Sequence, residues 1–315
     1  MLGRASTKAT LRHAQLSCKA VRGQHRSAFA GVLLQYGGHA RAATTQARST
    51  GPGLPLHRAT APPMSSTFPA PGFPAEPVAW QDDGSPANAR FGDVYHSRTG
   101  GITQASLVFV GGCGLPQQWR DRDVFTVLET GFGLGLNFLV TWAAWEADPQ
   151  RSKILNFNSV EAYPVAAEDI VRNMRLQCNA GVAQERRDRL PALAQQLAHA
   201  WQSLVPGRNT LRFADGRVLL TVAIGQVQAM LEDIQCVADA LYLDGFSPDL
   251  NPEMWSTPTL QAATRRCRQG SLLATYTTAP EVRSRLEQLG WSVQRCKGLP
   301  PKRHRLEGVL ASAPR

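Results

Sequence analysis

A chain of 315 residues is long enough to bury a large core in one or two domains. Its net charge of +10 argues for a nucleic-acid or membrane partner only if the charge belongs to the folded part. It does not: nine Lys or Arg and no Asp or Glu fall within residues 1–75, which leaves +1 for the remainder.

The leader, residues 1–78, carries no acid before Glu76 and is rich in Ala, Arg, Ser, Thr, Gly and Pro, and its one apolar run, Phe29 to Leu34, is too short for a membrane span or a secretory core. The composition fits a disordered tail, an organellar transit peptide, or translated upstream sequence ahead of a true start at Met64. Six cysteines (Cys18, Cys113, Cys178, Cys236, Cys267, Cys296) form no C-x-x-C pair and have no His at ligand spacing. Buried thiols in a reducing cytoplasm are expected, with no structural metal site.

Residues 79–123 are expected to form a small β-rich extension, centred on Phe91 to Gly112, ahead of a main domain at 124–315. From Val124 onward short apolar runs alternate with amphipathic ones, which predicts a layered α/β fold. Val124 to Leu128 is a predicted strand and a helix follows the glycines to about Ala147. Ile154 to Val160 is a second strand, and Val165 to about Trp201 is helical with a break near Gly181. Leu211 to Phe213 and Arg217 to Val222 flank Asp215-Gly216, a two-residue hairpin signal. Gln226 to Ile234 is predicted helical, Ala238 to Leu243 a buried strand, Pro252 to Arg268 a helix and Ser271 to Tyr276 a strand. Ala279 to Leu289 is a helix with Pro280 in its first turn, and Trp291 to Cys296 and Arg305 to Leu310 close the chain as antiparallel strands.

"LETGFGLGLNF" places three glycines at alternate positions between the first strand and its helix. Such a turn lets backbone approach a ligand closely, and both dinucleotides and S-adenosylmethionine use one. The residue three after the second glycine is Leu136, where a dinucleotide site has a third glycine, and Asn137 follows. Glu129, two residues before Gly131, is expected to face the loop, repelling a pyrophosphate and favouring an ammonium or sulfonium. Its bland alternative is a helix cap or ion pair. Glu161, closing the second strand in "NSVEAYP", is placed to bind two ribose hydroxyls, or else is a solvated strand end. In "ADALYLDGFSPDLNPEMWS" an apolar strand delivers Asp244 to the carboxyl edge of the sheet, and Gly245 to Pro248 form a tight loop there.

"ETGFGLGLNF", "VEAYP", "LDGFSPDLNPEMW" and "KGLPPKRHRLEGV", with "FGDVYHS" and "VFVGG" ahead of them, resemble the methyltransferase half of the bifunctional tRNA 5-methylaminomethyl-2-thiouridine biosynthesis protein family, over about Phe91 to Leu310. The resemblance implies a class I methyltransferase: a Rossmann-like sheet, mostly parallel with an antiparallel terminal strand. It implies S-adenosylmethionine as cofactor, no metal and no membrane, and tRNA as partner in the cytoplasm. Glu129, Gly131, Gly133, Gly135 and Asn137 would hold the methionyl part, Glu161 the ribose and Gln226 the adenine. Asp244, Phe246 and Pro248 would frame the acceptor amine, the 5-aminomethyl group of wobble (2-thio)uridine.

Lys297, Lys302, Arg303 and Arg305 form the densest cationic cluster and are expected to meet tRNA phosphates, with Arg265, Arg266 and Arg268 as a second candidate group. Three positions depart from the family pattern: Gln226 and Gln104 stand where acids are expected, and Pro300-Pro301 where glycine is common. The family's FAD-dependent oxidase half is not found in the sequence, so upstream enzymes are expected to supply the aminomethyl substrate. Two same-loop alternatives remain, a methyltransferase for small amines or proteins and a nicotinamide-dependent oxidoreductase. A third is a non-catalytic RNA-binding relic.

Overall fold

The computed structural model describes residues 74–96, 100–179, 184–300 and 303–312. Most of the expected leader, including Met64 and Cys18, lies outside the described residues, as do the expected helix break at Gly181, Pro301 and Lys302.

Three short strands, Val78–Trp80 (β1), Pro86–Asn88 (β2) and Asp93–Val94 (β3), pair antiparallel in that order. The stretch from Phe91 to Gly112, expected to be β-rich, is so only at its start. Gly101–Gln104 (α1) runs directly into a π-helix, Ala105–Val110. Ile102, Ala105, Val108 and Phe109 are all buried, and their spacing of three and four makes one helical stripe, which outweighs the β-branched content of the run. The π-helix ends against Gly112, where a Cβ would lie 2.0 Å from the Val108 carbonyl oxygen.

The main domain contains Val124–Thr130 (β4), Leu136–Ala147 (α2), Ile154–Glu161 (β5), Ala167–Asn179 (α3), Gln184–Trp201 (α4), Gly207–Phe213 (β6), Val218–Ile224 (β7), Val227–Asp233 (α5) and Ala238–Leu243 (β8). Thr257–Thr264 (α6), Cys267–Thr275 (β9), Pro280–Gln288 (α7), Trp291–Lys297 (β10) and His304–Leu310 (β11) complete it. The eight strands form one sheet in the order β10-β11-β9-β8-β4-β5-β7-β6. The five central strands are parallel, while β6, β10 and β11 pair antiparallel at the two edges. This is the expected class I methyltransferase arrangement. Because the chain winds from β4 outward to β5 and later returns to place β8 on the other side, a crevice opens between the carboxyl ends of β4 and β8.

Both sheet faces are covered. Phe125 and Val127 of β4 and Ala240 and Tyr242 of β8 join the core beneath the π-helix, α2, α3 and α4. Leu128, Leu241 and Leu243, on the opposite face, pack with Leu231, Leu260 and Leu286 of α5, α6 and α7. The alternation along each strand is the period of two that a doubly covered sheet requires.

Two elements differ from expectation. The β6–β7 hairpin pairs Phe213 with Val218, so four residues form the turn, with Ala214, Asp215 and Gly216 all at positive φ. The helix expected from Pro252 to Arg268 is only α6. Ser256 caps it by accepting from the Thr259 N–H, Pro258 occupies its first turn, and Cys267 already belongs to β9. Residues 251–255 are thereby freed to turn back over the crevice.

The amino edge of the sheet carries its own acids. Asp239, at the start of β8, accepts from the Thr126 N–H (2.8 Å), from Arg122 Nη1 (2.8 Å) and from Arg268. Asp148, following α2, accepts from Trp119 Nε1 (2.9 Å) and Arg120 Nε (3.1 Å). Burial alone would push the Asp148 pKa up, but these donors outweigh it and hold the carboxyl below its usual range.

Candidate active site

The crevice is built from the ends of β4, β5 and β8. β4 ends in Glu129-Thr130, and the chain turns through Gly131, Gly133 and Gly135, all at positive φ. Gly131 and Gly133 line the crevice, whereas Gly135 does not; it is the left-handed residue before α2, wedged against Phe132 and Leu197. A Cβ on Gly131 would meet the Asp244 carbonyl oxygen at 3.2 Å, so the backbone here approaches the opposite wall as closely as a side-chain-free residue permits.

Glu161 closes β5 and accepts from the Gly133 N–H (2.7 Å) and the Tyr163 N–H (2.8 Å). Burial raises its pKa, and those two N–H groups partly offset the rise. Glu129 is placed differently from expectation. It is 1% exposed and lies behind Asn137 rather than facing the ligand loop. Its carboxyl accepts from Asn137 Nδ2 (3.0 Å) and Ser159 Oγ (2.7 Å). Burial pushes its pKa well up and the nearby Asp244 adds to this, against the pull of Ser159 and Asn137. The side chain that faces the crevice is Asn137, and its Nδ2 also donates to Asp244 Oδ2 at 2.7 Å. One amide nitrogen thus joins an acid on β4 to an acid after β8.

Asp244 begins a loop whose backbone is held from every side. Thr130 Oγ1 donates to the Asp244 carbonyl (2.9 Å) and accepts from the Asp244 N–H (3.1 Å). Tyr276 Oη donates to the Gly245 carbonyl (2.8 Å), and Trp255 Nε1 to the Phe246 carbonyl (2.8 Å). Trp255 is 1% exposed, so it anchors the loop and offers no face to a base. Phe246 lines the crevice with its ring stacked on Phe91 (4.7 Å) and edge-on to Tyr95 (5.2 Å). Pro248 is half-buried and stands outside the lining. Gln226, exposed just before α5, borders the crevice beyond β7, and Gln104 lines it from α1.

Sequence reasoning missed the contributions of Phe91, Tyr95, His96, Asn251, Glu253 and Met254, all of which line the crevice. The signal for the last three was the Ser256-Thr257-Pro258 cap, which moves the helix start past them.

The pairing of β11 with β9 brings the β10–β11 turn to the same carboxyl edge as Asp244. Lys297 and Arg303 are exposed there. Arg305 is engaged: it donates to Glu307 Oε1 (2.6 and 3.0 Å) and to the Lys297 carbonyl (2.5 Å). The second candidate cluster is on the wrong side of the sheet. Arg265, Arg266 and Arg268 lie around the start of β9, at the amino edge, where Arg268 binds Asp239 and Arg266 donates to the Glu232 carbonyl (3.0 Å). Among the described residues, no helix is long and apolar enough to cross a membrane, and no group of three His, Cys, Asp or Glu is arranged to hold a metal ion.

Fold and crevice together have the class I methyltransferase arrangement. Residues 188–311 match the family described as S-adenosyl-L-methionine-dependent methyltransferase. The chain is similar to part of the tRNA 5-methylaminomethyl-2-thiouridine biosynthesis bifunctional proteins. It is 50% identical over 239 residues to the one from Delftia acidovorans and 51% identical over 239 residues to that from Paracidovorax citrulli. In both cases the match covers 76% of this chain and 36% of the relative, so the chain spans about a third of the length of these proteins. A crystal structure of MNMC2 from Aquifex aeolicus has the same fold, with 24% identity, a TM-score of 0.57 and coverage of 78% of this chain and 74% of that one.

Proposed function

We propose that the chain transfers a methyl group from S-adenosylmethionine to the nitrogen of the 5-aminomethyl group on the wobble (2-thio)uridine of tRNA, giving 5-methylaminomethyl-2-thiouridine in the cytoplasm. The observation that carries this reading is the Asn137 bridge, because it locks the glycine loop and the Asp244 loop into one hydrogen-bonded unit at the crevice where the two parallel strands diverge. The relatives' printed function and the family match support the same reading.

The crevice fits this cofactor. Two glycines without side chains border it, Glu161 is held on its rim by backbone N–H groups, and a further carboxyl sits behind Asn137. Gly131, Gly133 and Asn137 would receive the methionyl part, with Glu129 acting through Asn137. Glu161 would hold the ribose hydroxyls and Gln226 the adenine amino group. When bound, S-adenosylmethionine supplies an electrophilic methyl on a positively charged sulfur.

The chain's own task is alignment, for which effective-molarity arguments allow on the order of 7–11 kcal/mol. Asp244 accepts a hydrogen bond from the neutral acceptor amine and directs its lone pair into the crevice. As the new N–C bond forms and the S–C bond breaks, the surplus proton leaves by Asp244 to water. Phe246 gives the pyrimidine an apolar wall and Pro248 stiffens the loop. Lys297, Arg303 and Lys302 engage phosphates from the β10–β11 turn, while Arg305 braces that turn through Glu307. An upstream enzyme supplies the aminomethyl-uridine.

Purified protein incubated with labelled S-adenosylmethionine and tRNA carrying the unmethylated wobble nucleoside should convert it, as read by nucleoside mass spectrometry. Label transfer to a free alkylamine or a protein but not to that tRNA would assign a different acceptor, and failure to bind S-adenosylhomocysteine in calorimetry would remove the reading altogether.

A further inference from the structure

The segment ahead of the main domain crosses the crevice and is fastened on both sides of it. On the β5 side, the Glu76 N–H donates to the Pro164 carbonyl (2.8 Å), Trp80 Nε1 to Asp169 (2.9 Å), and the Arg90 guanidinium lies 4.3 Å over the Tyr163 ring. On the β8 side, Asp93 Oδ2 accepts from the Ser247 N–H at 2.9 Å. Between the two, Phe91 contacts Tyr163 edge-on (5.8 Å) and stacks on Phe246. Within the segment, Arg90 binds both Glu76 carboxylate oxygens (3.0 and 3.0 Å) and Asn88 donates to Tyr95 Oη (3.0 Å), which makes it a braced piece of structure.

Of the tethers on the 244–247 backbone, those from Thr130, Trp255 and Tyr276 come from the main domain, the Ser247 carbonyl accepts from Leu250 and Asn251 within the loop, and the tether on the Ser247 N–H comes from this strap. The other Asp93 oxygen, Oδ1, caps the Val94 N–H (2.9 Å), which fixes the carboxylate's direction. We propose that Asp93 is a positioning residue for the acceptor side of the reaction: by holding the Ser247 N–H it sets where the Asp244–Phe246 loop points, so that the strap completes the active site rather than merely covering it. This rests on the methyl-transfer reading for its kinetic consequence, and on the geometry alone for its conformational one.

The test compares Asp93→Ala with Asp93→Asn, whose amide oxygen keeps an acceptor for Ser247. In Asp93→Ala, hydrogen exchange in the 244–250 segment should rise about tenfold, the scale of one lost backbone hydrogen bond, while exchange in the central strands is unchanged. With unmethylated tRNA, kcat should fall about tenfold or more and S-adenosylhomocysteine affinity should stay within about twofold, with Asp93→Asn restoring most of both signals. Unchanged exchange in the loop of Asp93→Ala, or equal losses in Asp93→Ala and Asp93→Asn, would overturn the proposal. If the wild-type protein methylated no tRNA while the exchange difference appeared as expected, Asp93 would stand as the determinant of the loop and the functional reading would be the part that fails.

Discussion

The two edges of the sheet treat buried carboxyls in opposite ways. At the amino edge Asp239 meets the guanidiniums of Arg122 and Arg268, and Asp148 meets that of Arg120. At the carboxyl edge Glu129 is held by an amide and a hydroxyl, and Glu161 by two backbone N–H groups. Neutral donors satisfy the oxygens without neutralising the charge. The Asp148 pKa is accordingly lowered, whereas those of Glu129 and Glu161 are raised, chiefly by burial. One edge uses its acids to tie strands together. The other leaves Glu129 and Glu161 to neutral donors in a buried setting that disfavours their ionised forms.

The largest effect should come from the acid nearest the acceptor. Asp244→Ala is expected to lower methyl transfer by roughly 10²-fold or more, with cofactor affinity changed only a few-fold, in single-turnover kinetics paired with calorimetry. Turnover within a factor of two of wild type would take Asp244 out of the mechanism. Asp239→Ala should do the reverse: it leaves the buried Thr126 N–H without its acceptor and costs about 1–3 kcal/mol in denaturant unfolding, with kinetic constants unchanged. A kinetic defect there would erase the distinction between the edges.

Glu129→Gln keeps the shape and removes the charge. It should leave the empty protein as stable or more so, yet weaken S-adenosylmethionine about tenfold by calorimetry, and an unchanged affinity would show that the charge behind Asn137 does no work on the ligand. The same carboxyls give a pH signature. With folded pKa values above the unfolded ones, their contribution to stability is fully present below the unfolded carboxylate range and is lost as pH rises through the raised values. A bound sulfonium favours the ionised form, so binding should release protons, less so as pH climbs; calorimetry in buffers of different ionisation enthalpy reads this directly, and proton uptake would contradict it. The smallest effect belongs to the rim. Lys297→Glu with Arg303→Glu should lower the magnitude of the salt slope of tRNA binding by about two without altering cofactor affinity.

Much of the carboxyl edge was legible in the sequence because each apolar run names a strand and the polar residue that ends it names a position at the crevice. Glu161 and Asp244 were found this way. Glu129 was misplaced although the information was present: Phe125, Val127 and Glu129 alternate on one face of β4, so the third follows the first two into the interior. Arg305 was likewise counted as available although Glu307, two residues on and on the same side of the strand, was there to engage it. The strap was not legible. Its tethers join residues as far apart as Asp93 and Ser247, and nothing in local periodicity carries such a pairing.

The strand order works as a ruler. Adjacent strands are about 4.8 Å apart, so β10, three places from β8, sets Lys297 on the order of 14 Å from the strand that delivers Asp244. If the proposed function holds, a polynucleotide gripped at that rim would have to swing its modified nucleotide out of any stacked run to bring it between Phe246 and Asn137. On that reading, sequence discrimination would belong to the flanking nucleotides that span the gap, and the crevice would select for an amine on a ring narrow enough to enter.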